Sequence, residues 1–407
     1  MVPSAPPSWE ELRKTMSALA DGEPERCELR VVGRSRAGEP LEMLTVRGGP
    51  RSALVMAGPH ANEPVGAATL VTLARYVLAH PEVREELTWH LLLSSDPDGG
   101  RLNEAWSCSW PVHLEEYHRG LYRPAVGDQP ECTFPIAGFS GQLPETRAVM
   151  AVIDEVHPVL SVGLHNADTG GAFYLVSRPE SGLVDVLASA ADRHSIPLEA
   201  MPSDCIGLPS PGPGVFVVPE PRGLADRPPA APGEWQPAGA SSMHYAARHG
   251  GLGISPEVPV WRTLPIDLPA AASAAYLREA AQVLSRLLER FPARPTVFRP
   301  AVEEQVAIMR LMARIADENP ADSANQDLSL LVPLRGAGML LRHAEALLAE
   351  GAGAARLRRE QAALEDVFRA WYAKAEQALR PVPFELRQLV GYQLDTILGA
   401  ARLCAAT

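Results

Sequence analysis

The feature that most constrains this chain is a change of hydrophobic period around one short loop. Residues 52–58 form an apolar run that ends at Gly58-Pro59, and residues 64–80 then place apolar side chains at helical spacing. Strand, loop and helix in that order are the repeating unit of an α/β fold. The same alternation continues downstream. Residues 89–95 read as a buried strand, 144–156 as a helix, 159–165 as a strand, 173–177 as a short strand and 181–194 as a helix. Upstream, a helix is expected over 8–20, followed by strands at 27–33 and 41–47 around a turn at Gly38. Residues 202–237 carry ten prolines, which lack the backbone donor that regular structure needs, so this stretch is expected to be irregular. Beyond it, 240–249 reads as helix, 253–258 as extended chain and 270–291 as helix.

After a proline-punctuated stretch at 292–300 the pattern becomes purely helical, in pieces at 301–318, 334–350, 354–379 and 383–404. Apolar stripes such as Val302, Val306, Met309 and Ala313 fit an ordinary helix core. The expected organisation is therefore an α/β domain over 1–295 and a helical C-terminal domain over 296–407, the latter offering a surface through which copies could associate.

Composition excludes several function classes. A formal net charge of −12 opposes nucleic-acid binding, which requires basic surface to displace counterions. No apolar run reaches the length of a membrane span, and the N-terminal residues lack the basic-then-apolar pattern of a signal peptide. Five scattered cysteines with no metal-ribbon spacing read as reduced thiols. A cytoplasmic protein, without membrane or nucleic acid as partner, is the expectation.

His60 and Glu63 stand just after the first apolar strand and just before its helix; His165 closes the strand at 159–165, and Glu257 lies at the far end of the strand at 253–258. In open α/β sheets, sites collect at the carboxyl ends of strands. Two histidines and a glutamate are a ligand set that catalytic zinc uses, with a fourth position left for water. One zinc per chain held by His60, Glu63 and His165 is one reading of this set; a loop histidine beside an acidic residue favoured at a helix start is the other. A second His-x-x-Glu, His113 and Glu116, lacks a preceding apolar strand and a following apolar helix, and serves as an internal control.

The segment Gly58-Pro59-His60-Ala61-Asn62-Glu63-Pro64 resembles the first metal motif of the zinc carboxypeptidases of the M14 class. Further resemblances follow in order: residues 32–41, Asp96-Pro97-Asp98-Gly99, Pro144-Glu145-Thr146-Arg147-Ala148, Leu164-His165-Asn166 and Ile254-Ser255-Pro256-Glu257. They span about residues 30–290. The resemblance implies a mixed, mainly parallel twisted sheet flanked by helices, an enzyme that hydrolyses an amide bond with zinc-activated water, and Glu257 as general base. It also points to Arg101, spaced Arg101-x-Asn103 after the Asp-Pro-Asp-Gly segment, as the group facing the oxyanion, with Asn103 beside substrate.

Two departures bear on substrate. No Asp-Leu-Asn-Arg-like string is present to hold a terminal carboxylate, so Arg119 or Arg123 is expected in that role, since arginine binds carboxylates bidentately. Trp235 falls where the family often has a tyrosine, and Met243 lies near the position where many relatives carry a charged side chain. The substrate expected is a small peptide or aminoacyl conjugate. A zinc deacylase acting on N-acyl amino acids, and an inactive peptide-binding relative, are the rival readings.

Overall fold

The computed structural model describes residues 2–202, 205, 207–227, 234–318, 326–351 and 354–406. Helix α1 (Trp9–Gly22) begins at Ser8, whose hydroxyl and the Glu11 carboxylate form a reciprocal capping box. It leads into the β1–β2 hairpin (Cys27–Arg34, Pro40–Val46), then β3 (Arg51–Met56), α2 (Val65–Ala79) and β4 (Leu87–Leu92). Helices α3 (Pro97–Ser107), α4 (Leu114–Gly120) and α5 (Pro144–Val156) follow. Then come β5 (Leu160–Gly163), β6 (His165–Ala167), β7 (Phe173–Val176), α6 (Leu183–His194), β8 (Val215–Val217), α7 (Ser242–Ala247) and β9 (Leu252–Pro259).

These strands build a nine-stranded sheet in the order β1-β2-β4-β3-β5-β9-β7-β8, with β6 beside β9. Its centre is parallel; β1–β2, β2–β4 and β7–β9 are antiparallel, so the sheet is mixed and mainly parallel, as expected. Helices α1, α2 and α6 cover one face around Ala53 and Val55 through residues such as Met16, Val71, Leu73 and Leu187, while α5 and α7 cover the other around Leu54, Met56 and Leu92.

The chain leaves the sheet through β10 (Trp261–Arg262), forms α8 (Ala270–Arg290), α9 (Phe298–Glu318), α10 (Gln326–Ala349) and α11 (Ala354–Leu379), and returns through β11 (Val382–Pro383) to α12 (Leu386–Ala406). β10 and β11 pair antiparallel, Trp261 opposite Pro383, so the outgoing and returning chain lie side by side. Helices α8 to α11 share one core, built from residues such as Leu284, Val302, Leu340 and Phe368. Helix α12 does not join it: Leu389, Val390, Tyr392 and Ile397 are wholly buried in the core of the sheet with α2 and α6.

These contacts bear on the division expected at residue 296. That position falls between α8 and α9, which pack on each other, while α12 belongs to the α/β unit. The helical unit is thus inserted between β10 and β11. A stripe of apolar residues in sequence shows that a helix buries a face, but not which neighbour covers it.

Two helices were not expected. α3 starts with Pro97 and is capped by the Asp96 carboxylate, which accepts from Gly99 N at 3.0 Å. α4 is short and polar in its first turn, so its sequence carries little helical period. The strand expected at 159–165 is broken between β5 and β6, and the proline-rich stretch still supplies the short strand β8.

Candidate active site

The sheet reverses its strand order at β3: β4 lies on one side and β5 on the other. The crevice at such a reversal is where an open α/β sheet leaves room for a ligand. Met56 and Gly163, the last residues of β3 and β5, pair there. Gly58 adopts φ +55°, a left-handed conformation that glycine tolerates, and turns the chain off β3 into the His60–Glu63 loop. Glu63 N donates back to His60 O at 3.2 Å, closing that loop. On the next strands, His165 of β6 sits in parallel register opposite Glu257 of β9.

The structure therefore brings His60, Glu63 and His165 together, one ligand atom of each lying within 4.8 Å of the others. His165 Nδ1 is 3.1 Å from Glu63 Oε2 and 3.6 Å from Glu257 Oε1, and the two imidazole rings are 5.1 Å apart. His60 Nδ1, Glu63 Oε2 and His165 Nδ1 are all buried, and apart from the close approach of the last two to each other they make no hydrogen bond. Buried polar atoms are otherwise almost always satisfied by hydrogen bonds, so three such atoms gathered this closely fit a cation that would bind all of them.

The electrostatics agree. Burial would lower the basicity of His165, but the charges of Glu257 and Glu63 outweigh it and push its pKa up to about 9. Burial, together with the nearby charges of Arg123 and His165, holds His60 well below the usual histidine range. A carboxylate-lined cluster that draws a proton onto one imidazole is one whose negative charge a dication would neutralise. Glu131 adds to it. This buried carboxylate accepts from Ser242 N (3.0 Å) and Ser242 Oγ (2.8 Å), and burial raises its pKa despite the charge of His165.

Several supports come from outside the ligand loop. Gln393 of α12 donates to His165 O at 3.0 Å and accepts from Thr69 of α2 at 2.7 Å, so α12 holds the ligand strand directly. The early turn at residues 35–38 is tied down by the two acidic motifs: Ser35 Oγ and Ala37 N donate to Asp98, and Arg36 N donates to Glu145 at 2.8 Å. These motifs build the frame of the crevice and do not themselves point at the ligand cluster.

The remaining residues expected at the site fall in different places. Arg123 Nη1 donates to Glu63 Oε1 at 3.3 Å and to Asn62 Oδ1 at 3.2 Å, directly beside the cluster. Arg101 lines a small cavity of about 70 Å³ with His60 and Glu63, its guanidinium paired to Glu39 at 2.7 Å. Arg119 points the other way, bidentate to Glu365 of α11 at 2.5 and 2.9 Å and over the Phe368 ring. Asn103 is wholly buried, and its amide is spent on Ala61 O, Gly99 O, Tyr122 O and Tyr122 N. That placement makes it part of the loop's frame. Trp235 donates to Glu304 Oε1 at 2.7 Å and lines a separate cavity of about 650 Å³ against α8 and α9. The control pair is not at the site: His113 caps the start of α4, and Glu116 lies in that helix.

Sequence reading missed Asn62, Tyr117 and Arg335 as neighbours of the site. Nothing in local spacing links them; only the packing of α10 against α4 does. Glu131 sits in a single turn of 3-10 helix with no period to mark it.

Residues 12–181 match the model of the zinc carboxypeptidase family of peptidases, the M14 class. Over that segment the chain is similar to this family of hydrolases. The match holds His60, Glu63 and His165 but ends before Glu257 and the inserted helices. No curated protein matches the chain. Among solved structures, the carboxypeptidase A of Helicoverpa armigera is similar at 14% identity, over 79% of this chain and 74% of that one, with a TM-score of 0.41. A metallo-carboxypeptidase from Burkholderia cenocepacia is similar at 16% identity over 62% and 60%, with a TM-score of 0.40. The murein-tripeptide amidase of Escherichia coli O157 is similar at 19% identity over 57% and 82%, with a TM-score of 0.34. Among the described residues, no helix is long and apolar enough to cross a membrane.

Proposed function

We propose that this zinc carboxypeptidase-family protein hydrolyses an amide bond in a small peptide or aminoacyl conjugate, with one zinc per chain held by His60, Glu63 and His165 and with Glu257 as general base. The observation that carries this is the convergence of three buried ligand atoms with no hydrogen bond outside their own cluster, next to a carboxylate in strand register with one of them. Zinc bound there would polarise the scissile carbonyl and lower the pKa of an attacking water.

The chain's own residues divide the rest of the work. Glu257, 3.6 Å from His165, takes the proton from the attacking water and passes it to the leaving nitrogen. Arg101, in the cavity shared with His60 and Glu63, offers positive charge to the developing oxyanion. Arg123, beside Glu63, is the cation best situated to receive a substrate carboxylate, because Arg119 is already occupied by Glu365. Trp235 shapes the more distant part of the binding face. The test is a mass-spectrometric screen of peptides and N-acyl amino acids against the zinc-loaded protein, with and without chelator. Chelator-sensitive release of amino acid or shortened peptide is expected. Cleavage of N-acyl amino acids alone would favour the deacylase reading, and no cleavage at all would contradict both.

A further inference from the structure

Four side chains, three of them buried, join the inserted helical unit to the loop that carries Arg123. Arg335 of α10 donates to Asp168 Oδ2 from Nη2 at 2.6 Å and from Nε at 3.2 Å. The other Asp168 oxygen accepts from Tyr117 Oη at 3.0 Å. Asn62 Nδ2 donates to Tyr117 Oη at 2.9 Å, and Asn62 Oδ1 accepts from Arg123 Nη1 at 3.2 Å. Asp168, Tyr117 and Asn62 are all buried, and the side chain of Arg335 is 18% exposed.

The direction of every bond in this series is forced by the one before it. Arginine only donates and an ionised carboxylate only accepts. Tyrosine must therefore give its single proton to Asp168, and its oxygen must then accept from the Asn62 amide nitrogen. The Asn62 oxygen is left facing Arg123. Protonation states agree: burial alone would raise the Asp168 pKa, but the charge of Arg335 brings it below the usual aspartate range, while burial pushes the Tyr117 hydroxyl well above its own. Reversing any member would set two donors or two acceptors against each other in a buried place.

The backbones are clamped along the same line. A Cβ on Gly338 of α10 would fall 1.8 Å from His118 O, so only glycine lets α10 and α4 approach this closely. Arg342 of α10 donates to Gly120 O at 2.7 Å, and Arg119 grips Glu365 of α11. Arg123 lies just beyond α4, within the segment so held.

We propose that Arg335, acting through Asp168, Tyr117 and Asn62, is a positioning residue that orients Arg123 for a carboxylate-bearing ligand, so that the inserted helical unit sets ligand affinity at the sheet's crevice. This rests on Arg123 as the carboxylate-holding cation. The loss expected on cutting one charge-assisted hydrogen bond in the series is about tenfold in affinity.

The test uses a set of N-acetyl dipeptides with free carboxyl ends and the same set as C-terminal amides. Their binding to the full-length, metal-free protein is measured by titration calorimetry, which does not depend on turnover. The wild type is expected to prefer acid over amide, and Arg123→Ala to erase that preference. Tyr117→Phe, which keeps the ring and removes only the hydroxyl, and Arg335→Met are each expected to weaken the acids about tenfold while leaving the amides unchanged. Because both cut the same series, Tyr117→Phe combined with Arg335→Met should be no worse than either alone. If Arg123→Ala leaves the acid preference intact, the role of Arg123 itself is wrong. If Arg123→Ala erases it but Tyr117→Phe and Arg335→Met do not, the positioning proposal is overturned while the carboxylate reading stands. Equal weakening of acids and amides would mark general structural damage and would overturn it too.

Discussion

Helices α11 and α12 follow one another in sequence and look alike there, yet they belong to different bodies. Leu364 and Phe368 of α11 complete the four-helix unit, whereas Leu389, Val390 and Ile397 of α12 close the core beneath the sheet. The difference shows which parts of the chain the crevice depends on. Its ligand strands are held by register and by α12, through Gln393 on His165 O. The inserted unit reaches the crevice through side chains, at a seam where Leu330, Leu331 and Ala375 meet Tyr117 and Trp261 and at Phe298, which packs with Ala61 and Tyr122.

Removing α12 is the harshest way to test that contrast. A chain ending at residue 384 should lose its cooperative melt. Leu389, Val390, Tyr392 and Ile397 are each wholly buried, and burial of such side chains is worth about 1.5–3 kcal/mol apiece against a total stability of about 5–15 kcal/mol. A shortened chain that melts near the temperature of the full one would mean that α12 is dispensable and the contrast false.

Within the crevice, Glu257→Gln keeps size and hydrogen bonding but removes the base. A fall in kcat of about 10²–10⁴-fold is expected, with zinc content unchanged and KM little affected. Near-normal turnover with full zinc would transfer the role of base to another residue, such as Glu131.

A milder cut targets the hold of α12 on the ligand strand. Gln393→Leu leaves the buried His165 carbonyl and the Thr69 hydroxyl without their partner, which should cost about 1–3 kcal/mol in a denaturant titration. An unchanged midpoint would show that water replaces the amide and that α12 acts by packing alone.

The smallest effect is expected at the outer face of the seam. Arg119→Ala breaks a half-exposed pair with Glu365, worth about 1 kcal/mol or less after solvent screening. KM for any carboxylate substrate should stay as it is, whereas a large rise in KM would return Arg119 to the site.

The α/β unit was legible because its signals are local: an apolar run, a Gly-Pro break and a helical period mark β3 and α2 without knowledge of the rest. The ligand trio was legible because each member ends or follows such a strand. What stayed hidden depends on contacts between distant segments. The apolar stripe of α12 is the same whether it faces α11 or the sheet, and only the β10–β11 pairing returns it to the sheet. Arg101, Arg119 and Arg123 are likewise indistinguishable in sequence. Their partners Glu39, Glu365 and Glu63 separate them in the fold. Asp168 is paired by Arg335, far along the chain, which no local pattern links to it.

The central claim is that His60, Glu63 and His165 form one zinc site, and metal analysis of purified protein tests it most directly. The wild type should carry about one zinc per chain after equilibration with zinc and removal of the excess. His165→Ala should lose most of it, because two remaining ligands hold a zinc ion poorly, while His113→Ala should keep it in full. Wild-type protein that retains no zinc, or a His165→Ala protein that retains as much as the wild type, would contradict the assignment.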